Sequence, residues 1–254
     1  MKRRREARGL SIERLRSRIV RDLKARADPS SGEFLRSYLG SPLPVLGVRT
    51  PKVREVVRGV RPNFESLPGK SAQWLLSALW DGDSYEERLV AIELARIYGR
   101  RDDPAVWTLA RRWIESATGW ALSDSLASEV VGHCVRVRPE RFAELLRWAR
   151  SSSLWRRRAA TYALHDWVRS GDLRQPFRLL ERLAPDPELW VQRAVGTWLR
   201  ECWKRDRPRT ERFLRRHARE LSPIALTVAT ERAPRAFRSE LRERHHRDFR
   251  PSPR

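Results

Sequence analysis

Leu154-Trp155-Arg156-Arg157-Arg158-Ala159 and Leu189-Trp190-Val191-Gln192-Arg193-Ala194 share the pattern Leu-Trp-x-x-Arg-Ala, thirty-five residues apart. Five residues past each alanine stands another leucine, Leu164 and Leu199. The same step taken backwards reaches Trp120 and then Tyr85, so four aromatics recur at one interval. A period of this size belongs to two-helix solenoid units. One helix pair cannot bury its apolar face alone, so neighbours stack into a continuous core with an extended concave surface. Each of the four aromatics is expected near the start of a helix.

The rest of the chain agrees with helices. No Asn-Gly or Asp-Gly turn lies between alternating apolar runs, so strand signals are nearly absent. Thr50-Pro51, Asp103-Pro104, Asp186-Pro187 and Ser222-Pro223 each place a capping residue before a proline at an expected first helical position. Ser84-Tyr85-Glu86-Glu87 reads as a capping box. Between such starts lie amphipathic segments with apolar residues three or four apart, about a dozen in all. The stretch to Ala27 is helical and basic, residues 1–243 are expected to form a single repeat domain, and 244–254 a basic, disordered tail.

Lysine and arginine number 54 against 32 acidic residues, a net charge of +22, and nearly all the cations are arginine. Arginine's planar fork suits bidentate phosphate contact, and an excess this large points to a polyanionic partner, nucleic acid first. A taste for arginine over lysine explains the choice of cation but not the imbalance. No apolar run approaches a membrane span. Met1-Lys2-Arg3-Arg4-Arg5-Glu6 is not followed by an apolar stretch, so no secretory signal is expected. Two cysteines, Cys134 and Cys202, make no disulfide framework, and the expected setting is reducing and cytoplasmic.

One residue breaks the repeat. Four places after the aromatics come Leu89, Asp124, Ala159 and Ala194. A carboxylate where the register asks for a small or apolar residue is costly unless it is paired or used. In the helix beginning near Glu188, Val191, Val195, Trp198, Leu199 and Cys202 fall on one stripe and Arg193, Thr197, Arg200 and Lys204 on another. The second stripe is suited to following phosphates, and the register sets Arg158 in line with Arg193. Trp107, Trp113, Trp148 and Trp167 are expected in the core. His133-Cys134 lacks zinc spacing and reads as a core pair, and His245-His246 as solvated. There is no Gly-rich phosphate loop, G-x-S-x-G or H-E-x-x-H.

Taken in order, Tyr38, Leu46-Gly47-Val48-Arg49-Thr50-Pro51-x-x-Arg54, Leu79-Trp80-Asp81, Trp120-x-x-x-Asp124, Ser153-x-Trp155-x-x-Arg158-Ala159-Ala160 and Arg193-Ala194-Val195-Gly196 with Leu199-Arg200-Glu201 resemble the AlkD-type DNA glycosylases. These belong to the bacterial DNA alkylation repair proteins with HEAT-like repeats, and the likeness runs from about Phe34 to Ala236. It implies an all-α, right-handed solenoid of HEAT-like two-helix repeats curved around a basic concave groove that holds duplex DNA. It implies a monomer that hydrolyses the N-glycosidic bond of N3- and N7-alkylated purines without metal or cofactor. By the same resemblance Asp124 is the catalytic carboxylate, Trp120 touches the damaged nucleotide's backbone, and Tyr38, Arg158 and Arg200 contact DNA. Arg193, Thr197 and Lys204 join them from the polar stripe. One departure stands out: the family's second active-site tryptophan falls at Thr197, and Trp198 comes one step later, about 100° round the helix. This bears on the strength of catalysis and on which lesions are handled. A non-catalytic DNA binder and a scaffold for an acidic protein are the alternatives.

Overall fold

The computed structural model describes the backbone of residues 2–246 and the side chains of residues 12–246. Among the described residues every regular element is helical. The chain divides into two compact units, the first ending at Cys134 and the second beginning at Val135.

The first unit contains α1 (Lys2–Lys24), α2 (Pro29–Leu39), α3 (Thr50–Glu65), α4 (Gly69–Trp80), α5 (Tyr85–Tyr98), α6 (Asp103–Trp113) and α7 (Trp120–Leu126). Helix α5 is its centre. It packs on α1, α3, α4, α6 and α7, and it buries Val90, Ala91, Ile92, Leu94 and Ala95. Trp80 and Trp113 stack at 4.7 Å with nearly parallel rings, and the Trp80 indole N–H donates to the Ser116 hydroxyl at 3.0 Å. After α7 the chain widens into a π-helical turn, Ala127–Val131, and then resumes as α8 (Gly132–Val137).

The second unit contains α9 (Phe142–Trp148), α10 (Leu154–Tyr162), α11 (His165–Arg169), α12 (Arg174–Leu183), α13 (Leu189–Arg205), α14 (Arg207–His217), α15 (Pro223–Ala229) and α16 (Arg235–His246). Helices α10, α13 and α15 pack side by side. Helices α9, α12, α14 and α16 make the layer behind them. Helix α13 crosses α15 at Gly196, where a Cβ would lie 2.7 Å from the Ala225 carbonyl oxygen. Val191, Val195, Trp198, Leu199 and Cys202 are all buried, as the apolar stripe requires. Trp113, Trp148 and Trp167 are also in the core, whereas Trp107 is half-buried. Cys134 is buried and His133 only half-buried.

All four periodic aromatics open helices: Tyr85 and Trp120 are the first residues of α5 and α7, and Trp155 and Trp190 the second residues of α10 and α13. At three of the four the position two beyond is given to tying loops, whereas Leu122 after Trp120 is core. Gln192 donates to the carbonyls of Leu183, Ala184 and Asp186 and accepts from the Ser222 amide. Arg157 pairs with Asp186 at 2.6 Å and donates to the carbonyls of Ser151 and Ser152. Ser84 caps the Glu87 amide, as the expected capping box requires, and its hydroxyl donates to the Glu87 carboxylate at 3.0 Å, a side-chain contact in place of the box's second backbone bond. Ser222 caps α15 as read.

Three helix starts are shifted from the sequence reading. Thr50 and Pro51 both lie inside α3, whose N-cap Arg49 makes no side-chain cap. The cap of α6 is Asp102, one residue early, because its carboxylate reaches the Ala105 amide. Helix α13 begins after Pro187, since Asp186 spends its carboxylate on Arg157 and the Glu188 amide. The first three residues of the expected tail are helical instead. Arg244, His245 and His246 form the end of α16, where Arg244 pairs with Glu240 at 2.9 Å and His245 Nδ1 lies 3.0 Å from the Ala218 carbonyl. The remainder, 247–254, lies outside the described residues.

Burial first, and Glu201 second, push the Cys202 thiol up to about 12, with Arg209 opposing. A thiol kept neutral by the fold contributes stability that is complete below its ordinary value near 9 and is lost as pH rises toward about 12. Over that interval Cys202 is expected to steepen the fall in unfolding free energy by about 1.4 kcal/mol per pH unit. Urea titrations of the native protein and Cys202→Ala from pH 8.5 upward test this. Parallel slopes would remove the thiol as the cause.

Candidate nucleic-acid interface

Helix α2 is unusual in what it leaves uncovered. Asp28 caps it through the Ser30 amide, and Gly32 is its only buried residue. Phe34 and Tyr38, one turn apart, are 70% and 60% exposed, with rings parallel at 6.1 Å. Such a helix gains little from its own face and must be held at its ends.

Both ends are held. At the N-terminal end the Asp28 amide donates to the Leu46 carbonyl at 2.8 Å. The loop that carries Leu46 is gripped by Glu86 of α5, whose carboxylate accepts from the amides of Leu46 and Val48, each at 3.0 Å. Glu86 is 1% exposed, so these two charge-assisted bonds act in a dry setting and replace the water the carboxylate has lost. Glu86→Ala leaves the buried Val48 amide and the half-buried Leu46 amide without this partner, and an unfolding loss of about 3 kcal/mol is expected in urea titration. Glu86→Gln keeps an acceptor and is expected to lose less.

At the C-terminal end Gly40 (φ 63°) meets Gly119 (φ 82°). A Cβ on Gly119 would lie 2.3 Å from the Gly40 carbonyl oxygen and 2.9 Å from that of Leu39. This backbone-on-backbone contact brings the start of α7 against the end of α2. It lets the Trp120 indole N–H donate to the Tyr38 carbonyl at 2.7 Å, and sets the two rings edge to face at 5.4 Å. Phe34, Tyr38 and Trp120 thus form one aromatic surface.

Asp124 follows one turn along α7. It is 8% exposed, in a register position that the sequence marked as buried. Its charge is felt by Tyr85: burial, then the Glu86 and Asp124 carboxylates, push that phenol well above its usual range. The π-helical turn begins immediately after, and the Ala127 amide donates to the Asp124 and Ser123 carbonyls. Local widening of this kind is frequent at functional sites.

In the second unit the expected stripe is present on α13. Arg193 and Lys204 are exposed, and Thr197 and Arg200 half-buried. Arg193 lies over the Trp190 ring at 5.7 Å. Arg200 pairs with Glu231 and Glu201, and Lys204 with Glu201. The Thr197 hydroxyl donates to the Arg193 carbonyl at 2.9 Å, and Trp198 packs edge-on against Tyr162 at 5.5 Å. The tryptophan one step beyond Thr197 is therefore core. Arg158 is less available than the sequence suggested. It is 5% exposed, donates to the Trp190 carbonyl and the Tyr162 hydroxyl, and lies over the rings of both residues.

Phe34 and Glu86 belong to this site without standing out in the thirty-five-residue pattern. Asp28-Pro29-Ser30 is a helix-start signal, and reading it would have set Phe34 and Tyr38 on one face. Nothing local marks Glu86, whose partners lie 40 and 38 residues away.

Among the described residues the protein is helical throughout, with a buried carboxylate one turn from an exposed aromatic cluster, and its net charge of +22 suits a polyanionic partner. Residues 19–233 match the model of the DNA alkylation repair enzyme family, and the chain belongs to that family. Among solved structures it is similar to a predicted DNA alkylation repair enzyme from Enterococcus faecalis, with a TM-score of 0.73 and 16% identity over 83% of this chain and 98% of that one. It is also similar to AlkD2 from Streptococcus mutans, with a TM-score of 0.59 and 22% identity over 70% of this chain and 89% of that one. No curated protein matches it.

Proposed function

We propose that the chain is a DNA glycosylase that hydrolyses the N-glycosidic bond of N3- and N7-alkylated purines in duplex DNA, acting without metal or cofactor in a bacterial cytoplasm. The observation that carries this reading is the carboxylate of Asp124 held at a buried register position one turn from Trp120. Alkylation makes the purine cationic and a better leaving group. As the bond to C1′ breaks, its electron pair leaves with the base and positive charge develops on the sugar. A fixed carboxylate stabilises that charge, and water adds to C1′ while its proton passes to solvent. At ~4 Å and an effective dielectric near ~20 the attraction is about 4 kcal/mol, or roughly a thousandfold in rate if it arises only in the transition state. Trp120 and Tyr38 offer ring faces to the cationic nucleotide. Arg193, Thr197, Arg200 and Lys204 face phosphates. Arg158, being buried, serves by holding Trp190 in place beneath Arg193.

This reading treats 1–243 as one functional domain, a right-handed solenoid of HEAT-like repeats around a basic groove, working as a monomer. Family membership and the charge support it. A second reading, a non-catalytic DNA binder, is favoured by one feature: Thr197 stands where an aromatic wall is expected, and Trp198 is buried instead.

The deciding experiment is release of free base from duplex DNA carrying N7-methylguanine at low salt. Release establishes the glycosylase. DNA binding without release selects the second reading. DNA affinity that does not fall with salt would point to the third reading, a scaffold for an acidic protein, since every neutralised phosphate releases counterions.

A further inference from the structure

The layer behind α13 carries a second concentration of positive charge. Helices α12 and α14 lie beside each other, joined by Phe177 and Phe213, whose rings stack at 5.0 Å. The cleft above that pair is lined by Arg174, Arg178, Arg209, Arg212 and Arg216, with Glu181 its one carboxylate. Glu181 is already shared between Arg216 at 3.8 Å and His217 at 3.7 Å. Arg209 is occupied with the Phe177 face at 5.1 Å.

Elsewhere in the fold some arginines meet a carboxylate: Arg54 takes Glu93, Arg157 takes Asp186 and Arg215 takes Glu240. Arg174, Arg178 and Arg212 are exposed and, among the described residues, none forms an ion pair. Like charges gathered without counter-charge repel one another, and a bound anion removes that cost. The geometry favours a repeating anion. Residues four apart on a helix are about 6 Å apart along its axis, so Arg174 with Arg178 and Arg212 with Arg216 make two rows at a spacing close to that of successive phosphates on a strand. The cleft has little to offer a peptide. Its two phenylalanines are nearly covered, whereas protein partners are anchored by desolvated apolar or aromatic contacts.

We propose that the cleft between α12 and α14 is a second phosphodiester-binding surface, which holds the backbone of a DNA segment other than the one facing the α13 stripe. The two surfaces lie on different helices of the second unit. The inference rests on the reading of DNA as the partner of this chain. A protein with both surfaces filled tethers two DNA segments and passes from one to the other without free diffusion.

The test mixes the full chain with short duplexes, half carrying a donor dye and half an acceptor. Energy transfer is expected with the native protein and is expected to vanish in R174E/R178E/R212E, while base release from methylated duplex is unchanged. The same variant should lower the salt slope of overall DNA binding by about three, one for each phosphate contact. Arg58→Glu, Arg100→Glu and Arg150→Glu combined control for net charge and should retain transfer. Transfer that persists in the cleft variant, or that is lost equally in the control, overturns the proposal. So does a cleft variant that binds DNA as before but no longer binds fluorescent polyglutamate, which would assign the cleft to an acidic protein. A native protein that excises bases and binds one duplex without transfer defeats this inference alone. A native protein that binds no DNA defeats the DNA reading with it.

Discussion

Asp124→Asn is expected to slow release of an alkylated purine by about a hundred- to a thousandfold, with folding and DNA binding kept. The substitution is nearly isosteric, so the packing of α7 against α5 has no cause to change. What it removes is a fixed negative charge in a site where Asp124 is 8% exposed. In such a setting the loss of one charge pair costs about 4 kcal/mol of transition-state stabilisation, far more than in bulk water. Ground-state DNA binding is carried by phosphate contacts, to which a buried carboxylate adds nothing favourable, so affinity should hold or rise slightly. The measurement is single-turnover base release beside a filter-binding isotherm for both proteins. Equal release rates would take Asp124 out of the chemistry. Equal loss of release and of binding would mean that it serves the shape of the interface.

The second large effect is expected of Gly119→Ala. Two penalties fall together. At φ 82° a side chain is strained, by about 1–2 kcal/mol. The new Cβ would also stand 2.3 Å from one backbone oxygen and 2.9 Å from another, and backbone cannot swing aside as a flexible side chain can. The end of α2 must retreat, which breaks the Trp120–Tyr38 hydrogen bond and the edge contact of their rings. A total loss of about 3–4 kcal/mol is expected if the clash is borne by the whole fold. Because α2 buries so little, local detachment is the cheaper escape. Hydrogen exchange should therefore quicken over 29–40 first, and base release should drop even where global unfolding by urea shifts modestly. Native exchange rates in α2 together with native release would show that the glycine contact does not position the aromatic surface.

The two variants separate what could be read along the chain from what could not. The thirty-five-residue interval marks the helix openings at Tyr85, Trp120, Trp155 and Trp190. Asp124 was visible because it violates that register. One residue is about 100° of helix, which puts Trp198 in the core and Thr197 on the polar stripe, where the structure has them. The helix starts slipped by one or two residues where competing partners were in reach: Asp102 ahead of Asp103, and Arg157 drawing Asp186 away from a capping role.

Periodicity and composition, which are local or averaged properties, were enough to determine an all-helical chain of stacked helices, its positive charge and the misfit carboxylate. Only the tertiary structure decided how α2 is fastened. The bonds from Glu86 span about forty residues, the Gly40–Gly119 contact spans far more, and neither leaves a pattern in neighbouring residues. It likewise decided that Arg158 is enclosed by Trp190 and Tyr162 while Arg174, Arg178 and Arg212 meet no carboxylate among the described residues. A sequence counts charges, but whether a guanidinium meets a ring, a carboxylate or solvent depends on which helices the fold sets side by side.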